Sequence, residues 1–159
     1  MTIPQRIRMK LKNILVTGGA GFIGSHLVRR LVKLNANVTV TVKYKSIIDC
    51  PRLLSVWDKI DIIEADIKNL DSVLFLKRCK NKFDIIFHLA AYNHVGDSFV
   101  HINESLKTNI LGTSNLLEFG PSYDRFIYTA TSEIYGFQKM IPFREEDLPF
   151  PISPYAIGK

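Results

Sequence analysis

Residues 15–27 read LVTGGAGFIGSHL, an apolar run that meets glycines at positions 18, 21 and 24 and continues with helical spacing. Glycine inside regular structure costs roughly 0.5–1 kcal/mol relative to alanine, because its unfolded chain has more freedom to lose. A series of them therefore demands a use. A strand that runs straight through glycines into a helix builds a phosphate cradle. Gly18 permits the tight turn, Gly21 lets the backbone approach a pyrophosphate, and Gly24 lets the helix pack close to the strand. The free N–H groups at such a helix start, with the positive end of the helix dipole, take the anion. Glycine triplets occur in many turns; the place of this one, after a strand and before an amphipathic helix, gives it meaning.

The remainder of the chain repeats that alternation. Short apolar runs, NILVT (13–17), NVTVTV (37–42), DIIEA (61–65), FDIIFHLA (83–90) and RFIYTA (125–130), read as strands. Helical segments separate them. Ile23, Leu27, Leu31 and Leu34 fall on one stripe of the first, expected to be buried. Val73, Leu76, Lys77 and Cys79 belong to a second, and Leu106, Ile110 and Leu117 line a third. Strands rich in Val and Ile, buried on both faces and separated by helices, imply a doubly wound α/β fold with a parallel sheet.

Length and charge bound the rest. A chain of 159 residues holds one domain with a real core, and its 47% apolar and 23% charged residues are ordinary for a soluble globular protein. No apolar run approaches the ~18 residues that span a bilayer, and MTIPQRIRMK has no signal-peptide core; a cytoplasmic location with no membrane partner is expected. Cys50 and Cys79 form neither a disulfide framework nor a metal cluster, and read as reduced thiols. The net charge of +6 suits an anionic ligand. Its basic residues are scattered without interleaved aromatics, so nucleic acid is not an expected partner. MKLKNILVTGG, from Met9, would itself make a natural start. Residues 1–11 are therefore expected to be a disordered extension of a domain spanning 12–159.

The glycine spacing, G-x-x-G-x-x-G within TGGAGFIGSHL, resembles the extended short-chain dehydrogenase/reductase family, in particular its sugar-nucleotide epimerases, dehydratases and decarboxylases. The likeness continues through Asp66-Ile67, FHLAAYNHVGDS (87–98), LKTNILGTSNLLE (106–118), TSEIYG (131–136) and SPYAIGK (153–159), in family order. It implies a Rossmann-type NAD(P)-binding domain in which Gly18, Gly21, Phe22, Ile23 and Gly24 contact the pyrophosphate. Asp66 and Ile67 would hold the adenine, while Leu89, Ala90 and Ala91, with Thr108 nearby, would line the ribose and nicotinamide side. An acid some twenty residues after the glycines normally takes the ribose 2′-hydroxyl of NAD. This chain has Val42 at that place, then Lys43-Tyr44-Lys45-Ser46, and no Asp or Glu from Ser25 to Ile48. A neutral residue followed by lysines suits a 2′-phosphate, so the expected cofactor is NADP ahead of NAD, although Lys43 and Lys45 also read as plain solvated lysines.

The resemblance also implies chemistry at a sugar C4 hydroxyl. Thr131 would hydrogen-bond that hydroxyl, and Tyr155 would take its proton as hydride leaves C4 for the nicotinamide. A free tyrosine, with a pKa of about 10, is a poor base near neutral pH. A lysine four residues on shares a helical face, and its charge within ~4–6 Å favours tyrosinate, which is why Tyr155 and Lys159 belong together and both would lie at the cofactor. Strand alternation is expected to point Thr129, Thr131 and Glu133 the same way. Glu133 stands where the family's dehydratases keep the base that removes the C5 proton, with Ser132 where deoxythymidine-sugar dehydratases carry an aspartate. The markers do not agree on a sugar. His94 reads equally as a substrate contact or a structural histidine.

Family members continue past SPYAIGK with further strands and a substrate domain. On that comparison the sheet is expected to be incomplete, and the single helical turn bearing Tyr155 to be loosely held, since one turn pays for nucleation with little propagation. The expected partners are a sugar nucleotide and either a second copy or a completing chain. On that comparison the chain is expected to be inactive or nearly so by itself. The alternatives are a non-catalytic dinucleotide-binding module, against which the presence of Thr131, Glu133, Tyr155 and Lys159 argues, and an enzyme fragment.

Overall fold

The computed structural model describes residues 12–44, 51–137 and 141–159. The expected extension at 1–11, together with Lys45, Ser46 and Cys50, lies outside them. Five strands, β1 (Asn13–Thr17), β2 (Asn37–Val42), β3 (Ile60–Glu64), β4 (Lys82–His88) and β5 (Ser122–Tyr128), form one sheet in the order β3-β2-β1-β4-β5. Every pairing is parallel. This is the doubly wound, Rossmann-type architecture, with β1 in the middle.

Helix α1 (Phe22–Lys33) and a 3-10 segment, Pro51–Lys59, cover one face. Ile14 and Val16 of β1 and Val38, Val40 and Val42 of β2 pack there against Val28, Leu31, Leu53 and Val56. The opposite face carries α2 (Leu70–Cys79) and a long helical rod. That rod is α4 (Ile102–Leu106), a π turn at Lys107–Leu111, and α5 (Gly112–Phe119). Leu15, Leu76, Phe83, Ile86 and Leu116 fill the space beneath it. Adjacent residues of β1 thus serve opposite cores, as strand geometry requires. Short helices α3 (Val95–Ser98) and α6 (Pro154–Ile157) and a 3-10 turn at Ser132–Tyr135 complete the described structure.

Two helical faces differ from expectation. On α1 the buried line is Gly24, Val28 and Leu31, and Ile23 is 65% exposed. The helix turns its glycine to the sheet because the missing side chain permits the closest approach, which leaves Ile23 at the rim. On the rod, Ile110 and Leu117 face outward, while Ser105, Asn109, Gly112 and Leu116 face in. The inward side is polar because it bonds to loop backbone: Asn109 to both backbone groups of Tyr92, and Asn115 to the carbonyls of Ile67 and Lys68. Strand β4 also stops at His88, short of the expected Ala90, and β5 begins earlier and ends at Tyr128.

Core placement has a measurable consequence. Phe83 is fully buried, so Phe83→Ala should cost about 3–5 kcal/mol in a urea denaturation series. Phe75 on α2 is 51% exposed, and Phe75→Ala should cost far less, on the order of 0.5 kcal/mol.

Candidate active site

Strand β1 gives way to a turn in which Gly18 has φ +69°, and a Cβ there would stand 2.7 Å from the Ala90 nitrogen. Both the left-handed backbone and the close approach require glycine. The Gly21 amide donates to the Gly18 carbonyl at 3.0 Å, closing the loop. Gly24 packs under it so tightly that a Cβ would lie 2.3 Å from the Gly18 oxygen. Gly21 is the N-cap of α1, with no side chain capping the first turn and no acidic residue in it. The first-turn amides of Phe22, Ile23 and Gly24 therefore have no side-chain partner, with the positive end of the dipole behind them, which suits an anion. Phe22 and Ile23 are exposed at the side chain, so backbone is what they offer; the Phe22 ring stands edge-on to His26.

That loop opens onto a cleft of about 530 Å³ at the carboxyl ends of the strands. Gly18 and Gly21 line one wall. Leu89, Ala90 and Ala91, with Thr108 from the π turn, line another, and Asp66, Ile67 and Lys43 close the far end. The cofactor residues expected from sequence are thus brought together, with Phe22, Ile23 and Gly24 just behind the loop. The dinucleotide fits on structural grounds: an uncapped helix start for the pyrophosphate, and a cleft with polar and apolar walls beside it.

Sequence reasoning missed Tyr44, Arg52, Tyr92, Asn93 and Glu104, which line the same cleft. Glu104 matters most. Lys43 lies 3.7 Å from Asp66 and 4.0 Å from Glu104, Lys68 lies 3.8 Å from Asp66, and Lys68 also bonds to Glu104. Burial pulls the Lys68 ammonium down, but the Glu104 hydrogen bond and the two carboxylate charges outweigh it and its pKa is raised. The same Lys68 hydrogen bond holds the Glu104 carboxyl below its usual range. Lys43 is therefore not an unengaged lysine, and the acids absent from residues 25–48 reach this end of the cleft from β3's exit and from α4. Arg52, whose carbonyl accepts from Arg29 at 3.3 Å, adds a cation no spacing rule places there.

Under the cleft floor runs a buried polar row. Thr17 and His88 are register partners on β1 and β4, and the Thr17 hydroxyl lies 2.6 Å from His88 Nδ1. His88 Nε2 is 3.0 Å from the Thr113 hydroxyl on α5. Burial, and secondarily the charge of Lys159, lower the His88 pKa to about 4. The imidazole stacks on Tyr128 at 5.7 Å, and Lys159 Nζ sits 4.6 Å from the centre of that same ring. Burial and then the Tyr155 phenol raise the Tyr128 pKa. Burial lowers that of Lys159.

The expected catalytic residues lie beside the cleft, not among the residues that line it. Thr131 caps the 3-10 turn, its hydroxyl accepting from the Glu133 amide at 3.3 Å, while Ser132 and Glu133 are exposed. The expected alternation through Thr129, Thr131 and Glu133 does not extend that far, because β5 ends at Tyr128 and the chain coils at Ser132. His94 is exposed, 6.3 Å from the Tyr92 ring, not a buried structural histidine. The Tyr155 turn is anchored rather than loose. Ser153 caps α6 by accepting from the Ala156 amide at 3.0 Å, and the Tyr155 amide donates to the Ser98 hydroxyl at 3.2 Å. Ser98, which closes the FHLAAYNHVGDS run but has no role assigned from sequence, in turn donates to the Val95 carbonyl at 2.6 Å.

A sequence model of the family described as GDP-mannose 4,6 dehydratase matches residues 15–159. The chain belongs to this family of sugar-nucleotide dehydratases and epimerases, within the extended short-chain dehydrogenases/reductases. The dTDP-D-glucose 4,6-dehydratase of Dictyostelium discoideum is 40% identical over 131 residues, 79% of this chain and 30% of that protein. The UDP-glucose 4-epimerase of Thermotoga maritima, solved with UDP-glucose, superposes with a TM-score of 0.77 at 33% identity, over 92% of this chain and 47% of its own. The UDP-glucose 4-epimerase of Thermus thermophilus, solved with NAD, gives 0.77 at 29% identity over the same 92% and 47%. The chain thus spans less than half the length of each. Like those epimerases, this family member has a parallel sheet flanked by helices; no helix among its described residues is long and apolar enough to cross a membrane.

The buried imidazole makes stability pH-dependent. With a folded pKa of about 4 against an ordinary 6.5, His88 refuses a proton that the unfolded chain accepts between those values. Stability is therefore full above 6.5 and falls as pH drops toward about 4, by roughly 3 kcal/mol from His88. Glu104, with its lowered pKa, adds a loss of the same sign only below its ordinary 4.5. Urea midpoints across the higher window should decline in the native sequence and stay nearly level in His88→Gln.

Proposed function

We propose that this chain is the dinucleotide-binding part, residues 12–159, of an NAD(P)-dependent sugar-nucleotide epimerase/dehydratase that acts in the cytoplasm. The observation that carries this reading is the uncapped, acid-free start of α1 opening onto the cleft, with the Tyr155 turn docked beside it. The named relatives act in that class, and one is solved with NAD and another with UDP-glucose.

In this reading Gly18, Gly21 and the amides of Phe22, Ile23 and Gly24 bind the pyrophosphate. Asp66 and Ile67 border the adenine; Leu89, Ala90, Ala91 and Thr108 border the ribose and nicotinamide, with Tyr155 and Lys159 beyond. Once bound, the nicotinamide supplies a hydride acceptor. Thr131 hydrogen-bonds the sugar C4 hydroxyl and Tyr155 receives its proton, with Lys159 four residues on. Glu133, exposed and one residue from Ser132, is the base for the C5 proton where the reaction goes on to dehydration or epimerisation. The edge of β5 away from β4 is where further strands would add. The exposed apolar side chains Phe99, Val100, Ile102, Ile110 and Leu111, on and before the rod, suit contact with a second copy or with the rest of the enzyme.

NADP is favoured over NAD. Val42 supplies no carboxylate for a 2′-hydroxyl, Lys43 already neutralises the nearest acids, and Arg52 brings a guanidinium to the same end. Calorimetric titration of the chain should show saturable binding of both dinucleotides, tighter for NADP. Arg52→Ala should weaken NADP about tenfold and leave NAD unchanged, the worth of one charge-assisted hydrogen bond.

The cradle itself is tested by Gly21→Val. A Cβ at Gly21 already stands 3.2 Å from the Gly18 oxygen, and two further methyls would reach into the loop mouth. Binding should be abolished, whereas Tyr155→Phe should bind nearly as the native chain does. Normal binding by Gly21→Val would displace the cradle from this loop.

A further inference from the structure

Beyond the residues that face the cleft, the buried row beneath it has a direction. Thr113 donates its only hydroxyl proton to the Asn109 carbonyl at 2.6 Å. It can therefore only accept from His88 Nε2, 3.0 Å away, which places a proton on Nε2. A neutral imidazole with Nε2–H has a bare Nδ1, so the Thr17 hydroxyl donates to it at 2.6 Å. Thr17 is then left to accept from the Ala90 amide, at 3.2 Å. Each proton has one place.

Both arms end on the same loop. Through Nδ1 and Thr17 the ring reaches Ala90. Through Nε2 and Thr113 it reaches Asn109, whose side chain accepts from the Tyr92 amide at 2.8 Å and donates to the Tyr92 carbonyl at 3.1 Å. Ala90 and Tyr92 line the cleft and bracket Ala91. We propose that His88, as the neutral Nε2–H tautomer, is a positioning residue that fixes loop 89–93 for the dinucleotide from two sides at once. This rests on the reading of the cleft as a dinucleotide site. A second proton on the ring would point Nδ1–H at Thr17 and displace the Thr17 hydroxyl proton from Nδ1, so that the Thr17 oxygen would have to accept from both the ring and the Ala90 amide. The loop position therefore depends on the tautomer and not only on the ring's bulk.

Two measurements on the 159-residue chain test this. Long-range proton–nitrogen spectra of the ligand-free chain should show His88 neutral with its proton on Nε2, and the Ala90 amide protected from exchange. Fluorescence titration with NADPH and NADH should then show about a tenfold loss of affinity in His88→Phe, which keeps the ring stack but removes both arms. His88→Asn restores an acceptor on the Thr17 side and should recover part of that loss, as a merely space-filling role would not. Thr17→Val and Thr113→Val cut one arm each and should weaken binding separately, with only Thr17→Val exposing the Ala90 amide. A proton on Nδ1, or a folded His88→Phe that binds both dinucleotides as the native chain does, overturns the proposal. If the native chain binds neither dinucleotide, the reading of the cleft fails instead. The tautomer and the Ala90 exchange then decide the anchor: slow exchange with Nε2–H upholds it and fast exchange overturns it.

Discussion

Gly18 and Ala90 meet backbone to backbone, close enough that a Cβ on Gly18 would stand 2.7 Å from the Ala90 nitrogen. The rest of the site depends on that approach. Strand β1 is the centre of the order β3-β2-β1-β4-β5, so the chain leaves β1 toward one side of the sheet and β4 toward the other. Connections that part in opposite directions leave a crevice at the strand ends. The short approach keeps the crevice floor closed and sets the first turn of α1 at its mouth. A side chain at Gly18 would hold the two loops apart, and the helix amides would no longer converge on the same volume as Ala90 and Ala91.

The sheet face under α5 is held differently from the face under α1. The α1 side is apolar throughout, with Ile14, Val16, Val38 and Val40 in contact with Val28 and Leu31. The other side carries Thr17, Thr39, Thr41 and His88, and receives Asn109 and Asn115 from the rod. Buried polar groups stabilise only when satisfied, and a partly satisfied network is worse than an apolar core. Here Ser105 Oγ is the buried side-chain atom without a partner among the described residues. What the polar side supplies is orientation. Asn115 ties the loop after β3, Asn109 ties the loop after β4, and both stand on one helical rod, so the two far walls of the cleft move as one.

Where local pattern decides the structure, the sequence is legible. The strands and the glycine loop follow from periodicity and motif, because a parallel strand buried on both faces and a phosphate turn leave few residue choices; the cleft-lining positions Asp66, Ile67, Leu89 and Ala90 follow only from the family resemblance. The faces of α1 and of the rod are not legible, because the usual rule that apolar residues face inward is overridden. Gly24 turns α1 by what it lacks, and Asn109 and Asn115 turn the rod by what they bond to. Glu104 and Arg52 are invisible for another reason. Each reaches the cleft across tertiary distance, and no spacing in the chain relates α4 or the segment after β2 to the carboxylate of Asp66. The strand alternation expected through Glu133 fails because Thr131 satisfies the Glu133 amide itself, which favours a turn over an extended strand.

The Tyr155 turn shows how a helix too short to stand alone can be held. A single turn gains almost nothing from propagation. Its stability comes from outside: Ser153 caps it, Ser98 accepts its Tyr155 amide, and a Cβ on Gly158 would come within 3.0 Å of the Asn109 Cβ. Ser98 and Asn109 flank the rod's entry, and Asn109 is also the residue that grips Tyr92. The position of Tyr155 is therefore set by the same groups that set the cofactor-facing loop. Lys159, lying over the Tyr128 ring that His88 stacks beneath, joins that unit from the opposite end. The phenol, the ammonium and the loop share a foundation, so a disturbance in the buried row reaches both the dinucleotide cleft and the proton-transfer groups beside it.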